Sequence, residues 1–149
     1  MYDVRSRYLA DSVATVTPAK LLTMLYDRLV LDIDRAEAAL HAGDRGEATT
    51  QLNHAQDIVA ELISSLNVGA WTGAPGLMSI YSYLLSELIE TNMTADAARA
   101  VVCRDLVVPL RDAWHGAADA LAHEVPTQRS APTFPGAVSG SVSGELGIG

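Results

Sequence analysis

The sequence predicts an all-α fold, an antiparallel four-helix bundle with a flexible N-terminal arm and a disordered C-terminal tail. Three observations lead there. Between residues 17 and 123, apolar side chains recur at spacings of three and four in four successive stretches, as expected of helices that each bury one face. Alanine and leucine dominate the apolar set, and Phe134 is the single phenylalanine, so the core must be built from aliphatic side chains between helices. The breaks between stretches carry capping residues, and short connections favour antiparallel neighbours.

Residues 1–16 scatter Tyr2, Val4, Tyr8, Leu9, Val13 and Val16 among Asp3, Arg5, Arg7 and Asp11 without a sustained stripe, which reads as a flexible arm able to dock. Thr17 before Pro18 marks the start of helix 1, because threonine caps free amides and proline at the first helical position forfeits no hydrogen bond. This helix runs to about Leu40. Leu22, Leu25, Leu29, Ile33, Ala36 and Leu40 form its stripe, widened by Leu21, Met24 and Val30. Gly43 ends the segment, and Asp44 with Glu47 has capping-box spacing for helix 2. Leu52, Ala55, Val59, Leu62 and Leu66 make the second stripe, with Ile58 and Ile63 beside it.

Asn67 to Gly76 holds three glycines and Pro75, so helix 2 stops there and the chain crosses over, carrying Trp71, to a third helix beginning near Gly76 or Leu77. Helix 3 continues to about Glu90 through Ile80, Tyr81, Leu84, Leu85, Leu88 and Ile89. Thr94 is the expected cap of helix 4, whose apolar positions are Ala98, Val101, Val102, Leu106, Leu110, Ala113, Trp114, Ala117 and Leu121. Pro109 should bend or divide that helix. From Pro126 onward, proline, serine and glycine replace the pattern, giving an arm over 1–16, a helical domain over 17–125 and a flexible tail over 126–149.

Net charge is −8, from 18 acidic residues against 10 basic ones that form no run, which argues against nucleic acid as a partner. Lone Cys103 and the absence of a secretion signal point to a reduced, cytoplasmic setting. The apolar stretches are interrupted by charges too often for membrane insertion.

Catalytic, metal and cofactor sites find no complete residue set. Asp112 and His115 share a helical face and could approach one ion, but the facing helices supply no matching carboxylates, and His54 with Asp57 has the reverse order. Cys103 and His115 provide no arrangement of nucleophile, base and oxyanion donors. Phosphate-loop and dinucleotide fingerprints are missing. No catalytic activity is expected. What remains is apolar surface, widest where Leu21, Leu22, Met24 and Leu25 follow one another.

Tyr8-Leu9, then Thr17-Pro18-Ala19-Lys20-Leu21-Leu22-Thr23-Met24-Leu25-Tyr26-Asp27, resembles the start of the flagellar secretion chaperone family that binds flagellin. Further matches lie at Ile58 to Leu62, Ser65-Leu66, Tyr81, Tyr83, Asn92 and Leu110 to Trp114, so the resemblance spans all four helices. Arg28, where that family often carries glycine, the Trp71 to Gly76 segment and Pro109 are departures. The resemblance implies a cytoplasmic export chaperone. Its client would be the disordered C-terminal segment of flagellin, held in hydrophobic grooves, kept from polymerising and delivered to a component of the export gate. It also implies a client groove at Leu21, Leu22, Met24, Leu25, Tyr26 and Asp27, covered before the client arrives by Tyr8 and Leu9. Core packing is an alternative role for each leucine and for Tyr26, permanent packing against the bundle for Tyr8, and a solvated helical carboxylate for Asp27. The alternative function is a helical adaptor or structural protein that forms a homodimer through its broad apolar faces.

Overall fold

The computed structural model describes the backbone of residues 17–133 and the side chains of residues 17–123. The expectations for the arm, including Tyr8 and Leu9, and for the tail from residue 134 lie outside the described residues. Four helices follow one another: α1 (Pro18–His41), α2 (Arg45–Ser65), α3 (Ala74–Thr94) and α4 (Ala97–Thr133). The chain divides into two compact units, Met1–Trp114 and His115–Gly149. The first holds α1, α2, α3 and α4 as far as Trp114, arranged as a four-helix bundle; the second begins with the remainder of α4.

Local chemistry sets the helix ends. Thr17 caps α1, its hydroxyl accepting from the Lys20 amide at 3.1 Å. The turn into α2 passes through Gly43 at φ +75°, where a glycine carries no side-chain penalty. Asp44 then accepts from the Glu47 amide at 3.0 Å. Only this half of the capping box forms, because the Glu47 carboxylate accepts instead from Gln51 one turn on, at 2.7 Å.

Buried side chains from all four helices form one core. Tyr26, Leu29 and Ile33 of α1 meet Leu52, Val59 and Leu62 of α2, Tyr81, Leu84 and Leu88 of α3, and Ala100, Cys103 and Val107 of α4. Polar ties between helices fix the alternating directions. Near the start of α2, Arg45 donates to the Asn92 carbonyl at 2.8 Å and Thr49 to the Asn92 side chain at 2.9 Å, close to the end of α3. Arg104 of α4 reaches back to Asp34 of α1 at 3.2 Å and also binds Glu37. Arg99 of α4 pairs with Glu87 of α3 at 3.2 Å.

Four expectations are corrected. α3 starts at Ala74 rather than near Gly76, since Pro75 is tolerated in a first turn. Thr94 does not cap the last helix. It is the final residue of α3, donating to the Glu90 carbonyl at 2.8 Å, and Asp96 accepts from the Ala98 amide at 2.9 Å in the role foreseen for it. In α4 the fully buried positions are Ala100, Cys103 and Val107, whereas Ala98 and Val102 are exposed. Valines on several sides of that segment leave its phase undetermined by periodicity. Finally, α4 is not divided at Pro109 and runs past Pro126 to Thr133. Pro109 and Asp105, whose carbonyl loses its amide partner, are both exposed, so water can replace the missing bond.

Trp71 lies in the α2–α3 crossing with its ring directly over Gly73. A Cβ on Gly73 would fall 1.9 Å from the indole, so glycine here makes room for the stacked ring.

Candidate functional site

The expected site residues fall on α1 at three depths. Leu21 and Met24 are 42% and 48% exposed, and Asp27 is exposed beside them. Leu22 and Leu25 are half-buried and rest on the core. Tyr26 is fully buried. Spacings of three and four along α1 extend the outward line from Leu21 and Met24 through Arg28 to Leu31, which is 39% exposed. Leu21 and Met24 therefore form the accessible part of the stretch, with Leu22 and Leu25 as its footing.

Beneath them a polar chain crosses the core. The Tyr26 hydroxyl lies 2.5 Å from that of Tyr81, and either oxygen can donate in that bond. Burial, reinforced by the neighbouring tyrosine, drives the Tyr26 phenol far above its ordinary range; burial also raises Tyr81, with the Tyr26 hydrogen bond opposing. Cys103 is likewise pushed up, to about 11, mainly by burial and against a hydrogen bond with Thr91.

These raised groups predict alkaline weakening. The unfolded chain releases the Cys103 proton near 9.0 and those of Tyr26 and Tyr81 near 10.0, whereas the native state retains all three at those pH values. Their contribution to stability is complete below pH 9 and is lost as the pH rises through the folded-state values. The urea midpoint should stay level from about pH 7 to 8.5 and fall progressively above about pH 9. A midpoint that rises over that alkaline range would contradict the assignment.

One buried acid escaped the sequence reading. Asp32 on α1 is fully buried and lies between Arg28, whose Nε donates at 2.9 Å, and His54 of α2, which binds its other oxygen. Helix 1 had offered no obvious inward acid, because the partner that accounts for this one lies on another helix. Asp112 is exposed and is held by Arg111 at 3.1 Å. No group of three or more histidine, cysteine, aspartate or glutamate side chains is placed to hold a metal among the described residues. None of the described helices is long and apolar enough to cross a membrane.

The model of the family described as flagellar protein FliS matches residues 1–121. The chain is also similar to the flagellar secretion chaperone FliS of Bacillus subtilis strain 168. That match has 31% identity over 107 residues, covering 72% of this chain and 80% of the relative. The family match includes the part of α1 that carries Leu21 and Met24, and its breadth and the relative's identity point the same way: the chain belongs to the flagellar protein FliS family.

Proposed function

We propose that this protein is a cytoplasmic flagellar secretion chaperone that binds the disordered C-terminal segment of flagellin, prevents its premature polymerisation and presents it to a component of the export gate. The observation that carries the reading is the family match over residues 1–121, joined to an accessible apolar line on α1. The role is binding without catalysis. A disordered client must be ordered as it binds, so a long surface that buries apolar area suits it better than a small deep pocket. Methionine and leucine adapt to anchors of varied shape.

On this reading Leu21 and Met24 contact the client directly, Leu22 and Leu25 supply the groove wall, and Asp27 orients a polar contact at its margin. Tyr26 holds the wall from below, its hydroxyl being engaged with Tyr81. Tyr8 and Leu9 cover the groove before the client arrives.

Calorimetric titration with the flagellin C-terminal segment tests the proposal. Binding should bring a negative heat-capacity change and a gain in helicity. Leu21→Ser and Met24→Ser should each weaken it about tenfold, from about 1–1.5 kcal/mol for the area each side chain still has to cover, with little change in the unfolding midpoint. Absence of binding by the wild-type protein would overturn the proposal. Undiminished binding by both variants would remove these two residues from it.

A further inference from the structure

The seven described basic side chains are distributed unevenly. Four of them are committed to partners: Arg45 to the Asn92 carbonyl, Arg99 to Glu87, Arg104 to Asp34 and Glu37, and Arg111 to Asp112. The other three, Lys20, Arg28 and Arg35, lie on α1, at the spacings that also bring Leu21, Met24 and Leu31 outward. Lys20 and Arg35 are exposed and have no ion-pair partner among the described residues. Arg28 is bound to Asp32, yet its side chain remains 49% exposed.

From Lys20 to Arg35 this ridge runs about 22 Å, four turns of helix. Its one acidic neighbour is Asp27, three positions from Met24 and four from Leu31, so basic residues outnumber acidic ones three to one along it. Asp34 falls to one side and is already held by Arg104. In a chain of net charge −8, an acidic segment is repelled by the molecule as a whole and attracted here. Two chemistries thus alternate along one line, apolar at 21, 24 and 31 and basic at 20, 28 and 35.

We propose that the outward ridge of α1 selects, within the flagellin segment, a stretch whose apolar anchors alternate at helical spacing with acidic residues, Arg35 and Lys20 fixing its register. This rests on the client-binding reading above and adds to it a charge rule and three residues. The apolar anchors provide most of the affinity, while the basic residues raise the rate of encounter and reject neutral or basic stretches.

Arg35 gives the cleanest test because it is exposed and makes no ion pair among the described residues, so Arg35→Glu should leave the unfolding midpoint in place. The probe is the flagellin C-terminal segment together with variants in which its Asp and Glu residues are changed singly to Lys. Arg35→Glu should weaken binding of the wild-type segment about three- to tenfold, and at least one charge-reversed segment should recover most of that loss. Wild-type affinity for Arg35→Glu would overturn the charge rule and leave the chaperone reading intact. So would a loss of affinity that no reversed segment repairs. Failure of the wild-type protein to bind the segment at all would remove both.

Discussion

Replacing Tyr26 by alanine is expected to lower the free energy of unfolding by about 3–5 kcal/mol, enough to threaten a domain of this size. The ring is fully buried, so truncation leaves a cavity in the core beside Tyr81 that its surroundings can close only in part. Tyr26→Phe separates the hydroxyl from the ring. It keeps the packing but leaves the buried Tyr81 hydroxyl without its neighbour, at an expected cost of about 1–3 kcal/mol. Because the two hydroxyls share one bond, Tyr26→Phe combined with Tyr81→Phe should cost less than the sum of the single changes. Urea unfolding of the four proteins checks this. Strict additivity would show that the hydroxyls do not depend on each other.

The legible parts of this fold were those decided within a few residues. Thr17 and Asp44 cap the helices they were expected to cap, since each acceptor and its amide are three positions apart. The stripes of α1 and α2 were also readable, because polar residues interrupt their apolar ones and fix the phase. In α4 that contrast is missing, and Ala100 is buried where Ala98 and Val102 had been placed on the stripe. The Thr94 assignment failed for a related reason. A threonine inside a helix can return its hydroxyl to the preceding turn, and the choice between Thr94 and Asp96 depends on where α3 ends.

Depth at the candidate site was less legible than its location. Leu21, Met24 and Tyr26 lie within six positions of one another, yet the first two are exposed and the third is enclosed. Residues far along the chain enclose it: Tyr81 lies 55 positions away, and Trp114 lies on the last helix. Periodicity ranks the faces of one helix, but it carries no information about which neighbour covers them. The outward ridge was missed because Lys20, Arg28 and Arg35 look ordinary until the other basic residues are seen to be engaged.

Asp32 supplies the second large effect, and its size depends on which member of the cluster is removed. With Arg28→Ala and His54→Ala together, a carboxylate with no exposed side-chain surface is left in the interior without a cation, and the expected loss is about 3–5 kcal/mol. Asp32→Ala removes the buried charge itself and leaves Arg28 and His54, 49% and 48% exposed, to be solvated. Its expected cost is smaller, about 1–2 kcal/mol, for the lost hydrogen bonds and a small void. Arg28→Ala alone should fall below the double change, because His54 still binds the carboxylate and because a half-exposed guanidinium is screened by water. Denaturant unfolding of the three variants orders these costs. If Asp32→Ala proved more damaging than the double change, the carboxylate would be a net source of stability rather than a buried charge that needs its partners.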